Sequence, residues 1–141
     1  MSRKKMALCT PLPEAVLEEI KKSCDVIICG ELAHGKGNAS EAQTARECMG
    51  AELVVLGDEY AGADTIKTWA DEGMKFLGVA KGTPATVDYQ AIANANLQLS
   101  YTPGRNRVAV AEFTIGLMIA VARKLTLSAT GLSRGEHTGE A

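Results

Sequence analysis

Short apolar runs alternate with amphipathic stretches along most of the chain. Lys5 to Cys9 (KMALC) predicts a first strand, closed by Pro11 and Pro13. Pro13-Glu14 then opens a helix, with Ala15, Val16, Leu17 and Ile20 apolar and Glu18, Glu19, Lys21 and Lys22 outside. Ser23 to Cys29 contains DVIIC, a continuous apolar run that suits a parallel strand covered on both faces. Gly30 to Asn38 reads as a loop. Asn38 or Ser40 is positioned to cap a helix over Glu41 to Met49, which Gly50 ends. Glu52 to Leu56 (ELVVL) is another buried strand, and Asp64 caps a helix through Trp69 to Glu72, stopped by Gly73. Trp69 is expected to pack that helix onto the sheet. Met74 to Ala80 and Leu97 to Tyr101 complete the strands, with Val87 to Asn94 as a short helix between them. Pro103-Gly104 breaks the last strand.

The stretch that follows differs in kind. From Val108 to about Leu125 the helix is apolar nearly all round, because Glu112, Gly116 and Arg123 share one narrow stripe and only Thr114 and Lys124 are otherwise polar. Such a helix is expected to be buried against something. It does not read as a membrane span, since Glu112 interrupts a run already too short. From Ser128 to Ala141 no hydrophobic period remains and three glycines appear, which predicts an untethered tail.

Strands alternating with helices across short loops imply an α/β, three-layer fold with a five-stranded parallel sheet. The flavodoxin-like order 2-1-3-4-5 fits. The division is 1–104 for this domain, 105–127 for the long helix and 128–141 for the tail. A chain of 141 residues supports one domain with a sizeable core. Fifteen basic against 17 acidic residues leave a net charge of −2, so no polyanion partner is implied. Aromatics at 4% argue in the same direction against base-stacking surfaces, and nucleic acid is excluded as a partner. Met1 to Lys5 is basic, but the apolar run behind it is short and interrupted by prolines, unlike a signal peptide.

Cys9, Cys24, Cys29 and Cys48 form no C-x-x-C pair. A zinc site with His34 is the sharper reading. Buried reduced thiols are the favoured one, which points to a cytoplasmic setting and no metal. Lys81-Gly82-Thr83-Pro84 follows a strand, where free N–H groups and a lysine favour an anion. Asp58 and Glu59 also follow a strand, yet sequence neighbours need not converge, and they read as a solvated loop rather than an acid–base pair. His34-Gly35-Lys36-Gly37 has no P-loop spacing and reads as a flexible surface loop.

Several of these segments resemble one family. Ala80 to Pro84, Val87-Asp88, Thr102 to Asn106 and Val108 to Glu112 are similar to the D-isomer-specific 2-hydroxyacid dehydrogenases, nearest to the branch of phosphoglycerate dehydrogenase. The specific signal is the PGRN-x-x-A-VAE run with its apolar helix ending in Ala122-Arg123. Thr86 departs from the pattern, which has Asn before Val-Asp. In the family a Gly-rich dinucleotide fingerprint and a catalytic Arg, Glu and His follow the long helix, and this sequence stops at Ala141 before any of them. His137 matches no catalytic motif.

The resemblance implies the substrate-binding part of an enzyme that transfers hydride between a nicotinamide cofactor and a small 2-hydroxy or 2-oxo carboxylic acid. Lys81, Gly82 and Thr83 would hold the substrate carboxylate. Asn106 and Val110 would line the cleft beside NAD or NADP only where a dinucleotide domain is present, and otherwise Val110 reads as core packing. Asp88 matches a structural position. No catalytic residue and no dinucleotide binding are expected of this chain alone, and the helix over 108–125 is expected to sit between domains and form a homodimer. The alternative is a stand-alone, non-enzymatic α/β module that binds an anion or a protein. A receiver-like domain is its sharpest form, but that would need acids at several strand ends, and the first strand ends Cys9-Thr10-Pro11.

Overall fold

Five of the apolar runs pair side by side as a parallel sheet in a computed structural model, which describes residues 3–136. The strands are β1 (Lys4–Leu8), β2 (Cys24–Ile28), β3 (Leu53–Leu56), β4 (Phe76–Val79) and β5 (Gln98–Tyr101). Their order is β2-β1-β3-β4-β5, the flavodoxin-like arrangement expected from the alternation of elements. Among the described residues, helices α1 (Glu14–Lys21), α2 (Gly30–His34), α3 (Glu41–Glu47), α4 (Ala63–Asp71) and α5 (Tyr89–Asn94) lie between these strands in the chain.

The register decides which side chains share a face. Ala7 pairs with Val54, Val54 with Leu77, and Leu56 with Val79, so these residues project from one side. They form the core with Ile66 and Trp69 of α4, Met74, and Ile92 of α5, all nearly or fully buried. The chain moves one way along the sheet from β1 to β2 and the other way in every later crossover. Right-handed connections therefore put α1 on one face and α3, α4 and α5 on the other. The α1 face is the thinner layer. Ile28 keeps 44% of its surface exposed, and Val55 and Phe76 are only partly buried. The run Ser23 to Cys29 was expected to be covered on both faces. It forms β2, an edge strand, and Ile27 and Ile28, on opposite faces, both stay exposed.

Caps explain several boundaries. Ser40, not Asn38, caps α3, its side chain accepting from the Gln43 N–H. Asp64 does not cap α4. Gly62 holds that position, and the Glu41 carboxylate at the start of α3 accepts from both the Gly62 N–H and the Thr65 hydroxyl, each at 2.8 Å. The cap is thus supplied by a neighbouring helix. Trp69 Nε1 donates to the Ala45 carbonyl at 2.9 Å, tying α4 to α3 as well as to the sheet.

Gly104 to Ala141 form a second compact unit. It contains α6 (Arg107–Ala122) and α7 (Leu125–Ser133). The predicted single helix to about Leu125 is corrected to two. Lys124 takes a left-handed conformation, φ 48°, and breaks the ladder between them. Part of the predicted tail is also helical. Thr130 and Ser133 bond back to carbonyls of the preceding turn, so α7 is satisfied without an amphipathic period. Residues 134–136 follow α7 as a turn, and the end of that tail, including His137, lies outside the described residues. No helix among the described residues is long and apolar enough to cross a membrane.

Candidate functional site

Strand order reverses between β1 and β3, and in open α/β sheets such a switch point opens a crevice at the carboxyl ends of the strands. A cavity of about 310 Å³ lies there, lined by Cys9, Thr10, Pro11, Glu31, Leu32, Lys36, Gly57 and Asp58. A second, of about 260 Å³, is lined by Thr10, Leu12, Val55, Gly78, Ala80, Ser100 and Thr102 among others. Thr10 borders both. A larger hollow of about 460 Å³ sits between α4 and α5 beside Asp64, Lys67 and Asn94, away from the strand ends.

The loop after β4 carries Lys81, Gly82 and Thr83. Its start is pinned on both sides: the Lys81 N–H donates to Val79 O at 2.8 Å, and Thr102 N–H donates to Lys81 O at 2.9 Å. Thr83 O takes the Ala85 N–H, whereas the N–H groups of Gly82 and Thr83 donate to no backbone carbonyl among the described residues. Two adjacent donors thus remain for a ligand or water. Lys81 is not a free cation. Its Nζ lies 2.6 Å from Asp58 Oδ1, and Lys36 Nζ stands 3.9 Å from Asp58 Oδ2.

Glu59 corrects the expectation of a solvated loop. It is 5% exposed, and its carboxylate accepts from Gly57 N–H at 2.7 Å and Glu31 N–H at 2.9 Å. It therefore joins the end of β3 to the first turn of α2. Gly30 makes this possible: it has φ +59°, and a Cβ there would lie 2.7 Å from Glu59 Oε1. The segment Gly30 to Asn38, expected as a loop, opens with the helical turn α2 and is bonded to its neighbours. Glu47 accepts from Gly30 N–H at 2.8 Å and faces His34 Nε2 at 2.6 Å, while Glu31 accepts from Gly37 N–H. The Gly30 N–H, then His34 and Gln43, hold the Glu47 carboxyl below its usual range. His34 meets a carboxylate here, not a thiol.

The cysteines are free. Cys9 Sγ and Cys48 Sγ are 3.8 Å apart, and Cys9, Cys29 and Cys48 are all buried. Contact with Cys48 and burial push the Cys29 thiol up. Cys48 is pushed up as well, by Cys9 and burial, although its contact with Cys29 works the other way. Thiols held protonated are poor nucleophiles. Among the described residues no group of three or more His, Cys, Asp or Glu is placed to hold a metal.

Asp88 caps α5, accepting from Ala91 N–H at 2.8 Å, which is the structural role expected of it. The Thr86 departure leaves the backbone pairing intact, although its hydroxyl is buried with no hydrogen-bond partner among the described residues. Ala61 N–H donates to Thr86 O, and Asp88 N–H to Ala61 O, bonds that any residue at 86 makes. Asn106 and Val110 fall in the second unit, so the predicted site residues divide between two units. Asn106 precedes α6 with no side-chain cap bond, and Val110 is 52% exposed, which removes its reading as core packing.

No protein-family model matches the chain. It is 41% identical over 63 residues to YoaD of Bacillus subtilis, named as a 2-hydroxyacid dehydrogenase, covering 45% of this chain and 18% of that protein. It is 30% identical over 73 residues to 2-hydroxyacid dehydrogenase homolog 2 of Schizosaccharomyces pombe, covering 52% and 22%. In structure it is similar to a D-isomer specific 2-hydroxyacid dehydrogenase, NAD-binding, from Polaromonas, with TM-score 0.79, 18% identity, and coverage of 99% of this chain and 43% of that one. The chain thus spans about a fifth of these curated relatives and about two fifths of the solved chain. Curated and structural neighbours agree on the fold, that of the D-isomer-specific 2-hydroxyacid dehydrogenases.

Proposed function

We propose that the chain is the substrate-binding part of a dehydrogenase that moves hydride between a nicotinamide cofactor, NAD or NADP, and a small 2-hydroxy or 2-oxo carboxylic acid. The observation that carries this is the loop Lys81 to Thr83. It offers two adjacent N–H donors at the ligand end of a parallel sheet, beside a cleft at the switch point. The sequence likeness to 2-hydroxyacid dehydrogenases supports the same reading.

The chemistry of these residues is binding and orientation. The N–H groups of Gly82 and Thr83, with Lys81 behind them, hold the carboxylate, and this fixes where the adjacent carbon stands. Hydride exchange belongs to the nicotinamide when it is bound. Asn106 and Val110 would line its side of the cleft, supplied in part by a dinucleotide domain. No G-x-G-x-x-G occurs in the 141 residues, so this chain alone is proposed to bind no dinucleotide tightly and to turn nothing over. The exposed apolar α6 is proposed to be an interdomain and homodimer surface.

NMR titration of the chain with D-glycerate tests the site. The amides of Gly82 and Thr83 are expected to move before others, and Lys81→Ala should weaken the response while Lys67→Ala, on the exposed side of α4, leaves it. Equal effects of the two lysines, or shifts confined elsewhere, contradict the assignment. Calorimetry with NAD and NADP is expected to give no micromolar binding.

A further inference from the structure

The ion pair that occupies Lys81 has a consequence for the class of acid the cleft takes; this rests on the carboxylate site proposed above. Asp58 ends β3 and Lys81 ends β4, which are neighbours in the sheet. Both are held by their surroundings. Glu59 fixes the Gly57 N–H just before Asp58, and Val79 and Thr102 fix the Lys81 backbone. The 2.6 Å contact is therefore set largely by the two strand ends rather than by chance between long side chains. Lys36 stands 3.9 Å from the same carboxylate, and Glu31 lines the same cavity.

We infer that Asp58 is a specificity-determining residue: by neutralising Lys81 it fits the cleft to acids with a single negative charge and disfavours those with a second anionic group, phosphorylated or dicarboxylic. One carboxylate takes the Gly82 and Thr83 N–H groups, beside a lysine whose charge Asp58 already balances. A second anionic group a few ångströms away must either face the Asp58 carboxylate or displace it from Lys81. Like charges in one site disfavour each other. A hydroxyl or ammonium group on the substrate, in contrast, has an acceptor in Asp58. This separates the cleft from the phosphoglycerate dehydrogenase branch that its loop sequence resembles.

The test is amide titration of the full chain with D-glycerate, 3-phosphoglycerate and L-malate, in the wild type and in Asp58→Asn and Asp58→Glu. Glycerate is expected to bind the wild type at least as tightly as either of the two more highly charged acids. In Asp58→Asn the phosphorylated and dicarboxylic acids should gain about two- to five-fold over glycerate, the range a half-exposed charge supplies. Added salt should shrink that gain. Asp58→Glu, which keeps the charge, should keep the wild-type order. Tighter binding of 3-phosphoglycerate or malate than glycerate by the wild type, or an unchanged ratio in Asp58→Asn, overturns the inference alone. Failure of every acid to move Gly82 and Thr83 overturns the carboxylate site itself and this inference with it. If Asp58→Asn does not fold, the wild-type order still decides.

Discussion

Asp58 and Glu59 are adjacent carboxylates with opposite roles. Asp58 faces the cleft and pairs with lysines, while Glu59 turns inward and caps backbone donors. Removing a buried acceptor of this kind leaves its donors unsatisfied, at a cost of about 1–3 kcal/mol. Nothing in the letters Gly-Asp-Glu-Tyr separates the two, because only the Gly57 N–H is local to Glu59 and its other partner, the Glu31 N–H, is far off in sequence. A glycine at 30 was the one available clue, and it is legible only once Glu59 is known to sit against it. Glu47 gives a prediction at the same scale. Its folded pKa is lowered from an ordinary 4.5, so its contribution is fully present above that value and is lost as pH falls through the folded one. Amide protection, taken relative to the intrinsic exchange rate at each pH, should fall at Gly30 to His34 below about pH 4.5 before it falls in β3. Glu47→Gln should loosen α2 already at neutral pH and abolish that dependence. Protection of α2 unchanged down to pH 3 would contradict it.

At the scale of elements, long periods were legible and short local solutions were not. The apolar runs located all five strands, and helical spacing located α1, α3, α4 and α6. The five-residue α2 is too short to show a period and is held by carboxylates from Glu47 and Glu59 instead. The break at Lys124 is a left-handed residue, which lysine rarely adopts and sequence does not announce. Helix α6 carries the strongest consequence. Val110, Phe113, Ile115, Leu117, Met118 and Ile119 are each at least half exposed. If four such side chains gained cover, at roughly 1.5–3 kcal/mol each, burial would contribute about 6–12 kcal/mol. That matches the stability of a whole domain, about 5–15 kcal/mol. The isolated chain should therefore associate, most simply as a two-fold pair through α6. Phe113→Glu or Leu117→Glu should yield monomer or precipitate by light scattering, and Glu18→Lys should leave association intact. A monodisperse monomer of the unaltered chain at high micromolar concentration would contradict this.

For the molecule as a whole, the alternation of strand and helix led to the sheet order, because right-handed crossovers leave few topologies open. The end of the sheet that takes ligands followed from the same rule. The occupancy of Lys81 by Asp58 did not, since it depends on two strand ends being neighbours and on side chains meeting across the gap. The central claim is that Gly82 and Thr83 hold the carboxylate of a small 2-hydroxy or 2-oxo acid. The measurement that tests it most directly is a crystal structure of this chain soaked with a 2-oxo monocarboxylate. Carboxylate density is expected within hydrogen-bond distance, about 2.7–3.2 Å, of both N–H groups, with Lys81 alongside. Acid bound elsewhere, with these two donors still facing only water, would contradict it.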